Sequence, residues 1–257
     1  QVLTLRGKGH QGPIHVLSRR GLVPHPHVSP PAPPTEPELP DGSTEISLLL
    51  QSLRKQVSDG APWRTVMDGL RPKTQLLWQR LTPAQRSRFL RHALPWWDIH
   101  RHRIAPEVSG AFGKLLSDGI LDIHAGYLRS IDEGEEGIAV RYRRRHTQVV
   151  RELQVDWVVN CTGMERAGIG HSRLLEAMCG EGVISLDPFG LGVEVDDHSH
   201  LLRTDGRSWP GLFAAGALTA GRFWEITAVP DIRVQAQKIA REITRRVTAN
   251  DRVAAQG

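Results

Sequence analysis

Two apolar runs of the chain end in small residues, a pattern that lets a ligand come close to the backbone. The run 155–160 is predicted to be a strand that ends at Thr162 and Gly163, and the buried run 211–216 is followed by Ala217. In open α/β sheets, ligands bind at the carboxyl ends of strands, where backbone N–H groups can contact phosphate or ring atoms. Glycine adds no side chain, so a flat cofactor could approach the chain at both places. Small residues at a strand end also allow tight packing alone, and each run by itself leaves that alternative open.

A group of histidines and arginines is the first candidate for a metal site. His100 and His102 alternate with Arg101 and Arg103. Neighbouring cations oppose a metal ion, and no carboxylate is spaced to complete a set of ligands. We therefore predict that the chain has no metal site, and we expect this segment to bind an anion or to form salt bridges between domains.

The strongest run of positive charge is Arg-Tyr-Arg-Arg-Arg-His at 141–146. Basic residues with an interleaved aromatic residue are typical of nucleic-acid-binding surfaces, so a non-catalytic nucleic-acid-binding module is one hypothesis. Arginines at the tip of a solvated hairpin, where they discourage aggregation between strand edges, explain the same run. One run does not establish a whole basic face, and we favour the hairpin explanation.

The composition is that of a globular protein with an excess of basic residues. The 257 residues suffice for one large or two smaller domains, and 39% of them are hydrophobic. The 33 Lys and Arg residues against 28 Asp and Glu give a net charge of +5, which favours an anionic partner. Cys161 and Cys179 form neither a redox pair nor a zinc cluster, and no apolar run reaches the ~20 residues of a membrane span. These features predict a cytoplasmic protein without a membrane partner.

The order of signals in the first half indicates a strand followed by a helical insertion. Residues 2–6 are typical of the end of a helix, glycines then stop it, and 13–18 is predicted to be a short strand. The proline-rich stretch 24–40 is predicted to be a loop. Helical patterns follow from residue 43 to about 116, and Thr82 begins a capping box with proline at the first helical position.

The second half indicates an α/β pattern. Strands are predicted at 120–123, 137–142 and 149–153, and the last two are expected to form a hairpin. A helix is predicted at about 172–179. The final helix is predicted from residue 230 to about 247, because apolar residues recur there on one face.

Five segments of the chain match motifs that recur in flavoproteins. The segment 158–163 looks like the strand with the ATG motif in flavoproteins with two dinucleotide-binding domains, and 210–217 looks like their late FAD motif. The segment 224–233, Trp-Glu-Ile-Thr-Ala-Val-Pro-Asp-Ile-Arg, closely resembles the signature that ends the bacterial FAD/NAD(P)-binding protein family, the FAD-dependent urate hydroxylase-like flavoproteins. Segments 15–22 and 97–103 are also similar to that family.

The resemblance implies a partial two-dinucleotide-binding-domain flavoprotein, with Rossmann-like domains and a helical insertion. Residues 1–27 would end an NAD(P)-binding domain, 28–118 would be the proline-rich loop and helical insertion, 119–160 would complete the NAD(P)-binding domain, and 161–257 would be the C-terminal part of the FAD-binding domain. The family carries two GxGxxG fingerprints, one near its N-terminus and a second just before the segment with which this chain begins, so neither is expected within these residues. We therefore expect a fragment of a longer flavoprotein, which alone is inactive.

Ser18, Arg19 and Arg20 are the predicted contacts to a nicotinamide cofactor. They end the early strand, at a position where NAD-specific sites usually carry an acidic residue for the ribose 2′-hydroxyl. A hydroxyl and two arginines suit the 2′-phosphate of NADP instead, and solvated surface arginines are the alternative. The predicted cofactors are therefore FAD together with NADP or NAD.

The predicted FAD contacts lie at the two strand ends and at the start of the final helix. The N–H groups at that helix start would face the flavin pyrimidine carbonyl, and a threonine hydroxyl could add a hydrogen bond. The broader flavoprotein motif has an aspartate after Gly216, whereas this chain has Ala217, so backbone groups would have to replace it. The predicted contacts are Thr162, Gly163, Gly216, Ala217, Leu218, Thr227, Ala228 and Pro230.

Trp224 and Glu225 are the candidates for catalysis, because they lie next to the predicted flavin site. They could contact substrate, with proton transfer by Glu225, or they could equally lock the loop. By resemblance, the complete protein would be an FAD-dependent oxidoreductase in which NAD(P)H reduces the flavin, and a monooxygenase or hydroxylase of a small molecule if O₂ then oxidises it. A redox-inactive, flavoprotein-like scaffold is a further alternative. The sequence indicates neither the substrate nor the oligomeric state.

Overall fold

The chain divides into two compact units. The computed structural model describes residues 1–40, 42, 45–162 and 169–254, with the backbone alone for 249–254. The first unit contains Gln1–Pro37, Lys55–Gly69 and Leu90–Thr162, and the second contains Glu38–Arg54, Leu70–Phe89 and the described part of Gly163–Gly257. The predicted division into four segments stays a prediction.

A four-stranded mixed sheet organises the first unit. Its strands are, in order across the sheet, β1 (Ile14–Ser18), β2 (Leu121–Gly134), β3 (Gly137–Arg144) and β4 (Val150–Val155). β1 runs parallel to the start of β2, whereas β2, β3 and β4 are antiparallel, which confirms the predicted hairpin. β2 pairs with β1 as far as Ala125 and with β3 from Gly126, so β1 ends where β2 changes partner.

Helix α1 (Val2–Gly7) leads into β1 as predicted, and three glycines mark the connection. Gly9 has a φ of 90°, a conformation that favours glycine. Gly7, Gly9 and Gly12 have the spacing of a GxGxxG fingerprint, but they follow a helix and precede a strand. A dinucleotide-binding fingerprint lies in the reverse order, so this spacing marks the end of a helix and not a phosphate-binding loop.

The predicted strand at 155–160 is wrong. β4 ends at Val155, and residues 156–162 form no strand. The side chain of Trp157 is 85% exposed, and Val158 and Val159 are exposed as well. The apolar run has no strand beside it among the described residues, so its backbone groups lack the ladder partners that a strand requires.

The helical segment between β1 and β2 is confirmed. Its described part contains α2 (Ile46–Ser58), α3 (Trp63–Leu70), α4 (Thr74–Arg80), α5 (Pro83–Arg88), α6 (Leu94–Arg101) and α7 (Pro106–Ser117). Thr82 Oγ1 accepts the N–H of Gln85 at 3.3 Å, as the capping prediction requires. The Gln85 side chain does not complete the box; it donates to Glu45 Oε2 at 2.7 Å and accepts the N–H of Ile46 at 3.3 Å.

The second unit combines a small core with a two-stranded sheet. Its named elements are α8 (Arg173–Gly180), β5 (His200–Leu202), β6 (Ser208–Phe213) and α9 (Val229–Ala254). Ile184, Val193, Val195 and Leu201 form a buried cluster beside the antiparallel β5–β6 pair. The predicted burial of 211–216 is wrong except at Gly216, since Gly211 and Leu212 are exposed.

Helix α9 begins one residue before the predicted start at Pro230 and extends to Ala254. Of its predicted apolar face, Ile232 and Ile239 are half-buried, whereas Ile243 is exposed. Like the other helices in the described ranges, α9 lacks the apolar length needed to cross a membrane.

Candidate functional site

A cavity of about 640 Å³ lies in the first unit, at the carboxyl end of β1. Its wall consists of Arg20, Leu22, Trp96, Ile123, His124, Ala125, Tyr142, Arg144, Arg145, His146 and Arg151. None of these described lining residues is acidic, and four are arginines, so the cavity suits an anionic ligand. The volume falls in the range of small-molecule sites.

A tight turn after β1 brings Arg20, but not Arg19, to this cavity. Ser18 Oγ accepts the N–H of Gly21 at 2.9 Å, and Gly21 has a φ of 64°. A Cβ atom at Gly21 would lie 3.2 Å from the Cβ of Ala125, so glycine also allows the close approach to β2. Arg20 lines the cavity, whereas Arg19 is exposed and does not. Of the three predicted nicotinamide contacts, the structure thus brings one to the basic wall.

The β3–β4 hairpin supplies the other basic side chains of the wall. The N–H of Arg145 donates to the carbonyl of Ala125 at 2.8 Å, which ties the turn of this hairpin to β2. His146 has a φ of 61°, in the left-handed region, and its Nε2 accepts from Arg145 Nε at 2.9 Å. Arg144, Arg145 and His146 therefore lie at the end of the predicted hairpin, but they line a cavity that the run 141–146 did not predict.

The basic run divides into paired arginines and cavity arginines. Arg141 pairs with Glu152 at 2.6 Å and with Asp132 at 3.0 Å, and Arg143 lies 4.8 Å over the ring of Tyr127. Neither has a place in the cavity wall. Pairing of Arg141 with two carboxylates reduces the positive field that a nucleic-acid surface needs, and the nucleic-acid module stays a prediction.

Two histidines and an aspartate meet beside the cavity. His15 Nδ1 lies 3.1 Å from His124 Nε2 and 3.7 Å from Asp122 Oδ2, and Tyr142 Oη lies 2.9 Å from His124 Nδ1. Burial and the nearby His15 lower the pKa of His124, although Asp122 acts in the opposite direction. His15 and His124 are 109 positions apart, so sequence spacing could not reveal this group.

The segment predicted to bind an anion or to bridge domains is held within the first unit. The ring of His100 packs 4.7 Å from His25 and 4.9 Å from Trp63, and its Nδ1 contacts the carbonyl of Trp96 at 2.7 Å. Arg103 forms an ion pair with Asp68.

Trp224, a candidate for catalysis, lies in an aromatic cluster of the second unit. Its ring stacks on Trp78 with centroids 4.5 Å apart and contacts Phe89 edge to face at 5.5 Å. Trp78 is buried, and its Nε1–H donates to the carbonyl of Gly221 at 2.8 Å. Glu225 follows with a φ of 61°. These contacts favour the alternative in which the tryptophan locks the loop.

Gly216 begins a short 3₁₀ turn, Gly216–Leu218, that a buried polar network holds in place. Its N–H donates to Gln235 Oε1 at 2.8 Å, and Gln235 Nε2 donates to Thr219 Oγ1 at 3.0 Å and to Ser199 Oγ at 3.2 Å. The sequence interpretation missed Gln235, because a glutamine among helical surface residues carries no signal of burial. Ala217 is exposed and Leu218 is half-buried.

At the start of α9, two backbone N–H groups donate to a carbonyl of the same chain. The carbonyl of Ala228 accepts the N–H groups of Asp231 and Ile232, each at 3.0 Å. Pro230 has no N–H. Two N–H groups at this helix start therefore already donate inside the chain, while Thr227 is exposed.

The first predicted strand end has a different local structure. Thr162 is exposed, and Asn160 Oδ1 accepts from its N–H at 3.1 Å and from its hydroxyl at 2.7 Å. Gly163 lies outside the described residues. The Gly216 N–H already has a partner inside the chain. The predicted flavin contacts stay predictions: Thr162, Gly163, Gly216, Ala217, Leu218, Thr227, Ala228 and Pro230.

A carboxylate lies against a buried imidazole in the second unit. Asp196 Oδ1 accepts the N–H groups of His198 and His200, each at 2.9 Å, and Oδ2 lies 2.9 Å from His200 Nδ1. Burial is the largest single influence and raises the pKa of Asp196, but hydrogen bonds from His200 and His198 outweigh it, so this pKa is lowered overall.

We expect this lowered pKa to stabilise the fold above the ordinary aspartate range and to lose that effect in acid. A depressed native pKa contributes stability above the unfolded pKa of about 4, and the contribution disappears as the pH falls through the native value. Urea unfolding between pH 7 and 2 should therefore show a steeper acid loss for the native chain than for Asp196→Asn. Equal pH profiles for the two proteins would contradict the assignment.

No protein-family model and no curated protein matches the sequence. Among solved structures, the chain is similar to L-lysine 6-monooxygenase from Pseudomonas syringae, with a TM-score of 0.50 and 18% identity. The chain shares a fold with that monooxygenase. The similarity covers 93% of this chain and 55% of the monooxygenase, so the chain spans about half the length of its structural neighbour.

A second solved structure, the reduced form of ornithine hydroxylase from Pseudomonas aeruginosa, is similar with a TM-score of 0.44 and 18% identity. That similarity covers 70% of this chain and 41% of the hydroxylase. The TM-score of 0.44 is too low to support an argument. The comparison with the lysine monooxygenase therefore shows a shared fold, which agrees with the mixed α/β architecture of this chain.

Proposed function

We propose that the chain binds NADPH as part of an FAD-dependent oxidoreductase, a monooxygenase or hydroxylase of a small molecule. Three observations support this: the flavoprotein motifs of the sequence, the fold shared with a monooxygenase, and a basic cavity at the end of β1. The cavity carries the proposal, because fold alone does not indicate function. The Rossmann-like arrangement and the urate hydroxylase-like family are part of the same proposal.

The cavity wall has the chemistry that the 2′-phosphate of NADP requires. Arg20 follows a strand that runs parallel to its neighbour, which is where a ribose-binding residue lies in dinucleotide-binding units. Arg144 ends β3, Arg145 lies in the β3–β4 turn and Arg151 lies in β4, so together with Arg20 the positive charge arises from two separate parts of the chain. Among the described residues, no carboxylate pairs with these arginines. Unpaired guanidinium groups can donate two parallel hydrogen bonds to phosphate oxygens.

In this proposal, the residues of the chain bind and orient the cofactors. When bound, the nicotinamide and flavin groups would supply hydride transfer and oxygen chemistry. Arg20, Arg144 and Arg151 would hold the phosphate end, and Trp96 could cover the adenine face, since aromatic rings stack with bases. Exposed Ala217 and Thr227 would contact the flavin in the second unit. Trp224 would hold its loop and take no part in the chemistry.

The substrate class of the solved neighbour suggests where to begin an activity test. L-lysine is the substrate in the name of the monooxygenase, whereas the sequence resemblance indicates no substrate. We propose a small amine as the first choice, because the structural similarity extends over most of this chain.

Nucleotide binding tests the proposal directly. Calorimetric titration of the chain with NADPH and with NADH, in the presence of FAD, should show tighter binding of NADPH. The salt dependence of nucleic-acid filter binding, measured in parallel, distinguishes the alternative module. If the chain bound neither NADPH nor NADH, the proposed function would be overturned.

A further inference from the structure

Three potential metal ligands project to one point of the sheet in the first unit. His15 is paired in register with Asp122 on the parallel neighbour, and His124 follows Asp122 by two residues. Side chains two positions apart share a face of a strand, so all three lie on one face. The ligand atoms, one from each residue, lie within 4.8 Å of one another.

We propose that His15, Asp122 and His124 form a binding site for a divalent transition-metal ion, with Zn²⁺ as its best match. The proposal replaces the sequence prediction of no metal and does not depend on the proposed function. Sequence spacing could not show it, because the ligands come from strands far apart along the chain.

Two of the three distances between ligand atoms are close to those of a tetrahedral ion. Zinc binds histidine nitrogen at about 2.0–2.1 Å, so two ligand atoms of a tetrahedral site are about 3.3 Å apart. The separation of 3.1 Å between the two imidazole nitrogens and that of 3.7 Å between His15 Nδ1 and Asp122 Oδ2 lie on either side of this value. Three protein ligands leave a fourth position for water or another small ligand.

Tyr142 supplies the outer hydrogen bond that such sites use. Its hydroxyl lies 2.9 Å from His124 Nδ1, the nitrogen on the side of the ring away from the ligand atom. Accepting an Nδ1–H there would hold His124 in the tautomer whose Nε2 lone pair faces His15. The proposed ion would take the place of the proton that the two histidines otherwise share in a hydrogen bond.

The ligand set selects among metals. Two imidazoles and one carboxylate suit zinc and its neighbours in the first transition row, whereas magnesium and calcium prefer oxygen ligands alone. His124 also lines the arginine-rich cavity, and that positive charge opposes a cation. The Asp122 side chain, which is 59% exposed, supplies the opposite charge. We therefore expect weaker binding than at a four-ligand structural zinc site.

Competition between the tag-free chain and a chromophoric zinc chelator tests the site. The exposed thiol of Cys161 could bind zinc independently, so all proteins should carry Cys161→Ser. We expect one equivalent of Zn²⁺, and visible absorption typical of tetrahedral Co²⁺ when cobalt replaces it. His15→Ala and His124→Ala should each weaken Zn²⁺ binding at least about 10-fold, and Tyr142→Phe about 10-fold through loss of orientation.

Two further variants keep the test decisive if a histidine variant unfolds. Asp122→Asn changes a largely exposed side chain, so the protein should fold and yet bind zinc about 10-fold more weakly. His25→Ala removes a histidine that packs against His100 in the same unit, and its zinc affinity should equal that of the parent. Absence of zinc binding in the parent, or equal binding by the parent, Asp122→Asn and His124→Ala, would show a hydrogen-bonded histidine pair only and overturn the proposal.

Discussion

Replacement of Arg20 by alanine should weaken NADPH binding by about 10- to 100-fold and change NADH binding much less. A hydrogen bond to a charged group contributes about 1.5–3 kcal/mol, and each 1.4 kcal/mol corresponds to about a factor of ten in affinity. Arg20 lines the basic cavity, where the 2′-phosphate present only in NADPH would accept from its guanidinium. Calorimetric titration of both nucleotides measures the ratio.

Arg19→Ala is the matched control for this experiment. It removes the same charge one residue earlier, from an exposed side chain outside the cavity wall. Long-range attraction of the anion should fall equally in both variants, so the difference between them isolates contact in the cavity. Equal losses for Arg19→Ala and Arg20→Ala, or equal losses for NADPH and NADH, would refute the assignment of the 2′-phosphate.

Trp78→Ala should lower the free energy of unfolding by about 3–5 kcal/mol, as is usual when a large buried aromatic side chain is removed. The ring is 3% exposed, stacks on Trp224 and donates to the Gly221 carbonyl. The variant leaves a cavity beside Trp224 and removes the shorter of two hydrogen bonds to the Gly221 carbonyl, which keeps Arg86 Nη1 as a donor at 3.4 Å. Urea unfolding followed by far-ultraviolet circular dichroism measures the loss without relying on tryptophan fluorescence.

Two companion variants separate the contributions of Trp78. Trp78→Phe keeps an aromatic ring but removes the indole donor to Gly221, and the lost hydrogen bond should cost about 0.5–1.5 kcal/mol because Arg86 still donates to that carbonyl. Trp157→Ala removes a tryptophan that is 85% exposed, so its effect should stay within about 0.5 kcal/mol. A Trp78→Ala protein as stable as Trp157→Ala would show that the aromatic cluster does not stabilise the second unit.

Local patterns predicted the elements that local chemistry determines. The strand at 13–18, the cap at Thr82 and the start of the final helix at Pro230 all agree with the structure to within one residue. The cap and the helix start depend on neighbours within about four positions, such as a hydroxyl that reaches an N–H three residues later, whereas the first strand also has β2 as its partner. The strand at 155–160 failed because a strand also needs a neighbour, and composition alone does not supply one.

The candidate site was predictable only in part for the same reason. Ser18, Arg19 and Arg20 are adjacent in sequence, yet a turn closed at Gly21 separates Arg20 from the other two at the cavity. The left-handed conformation of Gly21 sets the path of the turn, and that path decides which arginine reaches the cavity. The types of the neighbouring residues do not show this path. Likewise, the role of Trp224 became clear through Trp78, which lies more than a hundred positions away.

The sequence by itself determined the alternation of helix and strand, the excess of positive charge and the motifs that resemble a flavoprotein, because these depend on residue type and short spacing. Tertiary structure alone decided which arginines share a cavity, which histidines lie within ligand distance, and which backbone groups are already donated. Those properties depend on strand register and on burial, since a parallel pairing such as His15 with Asp122 brings together residues that the chain keeps far apart.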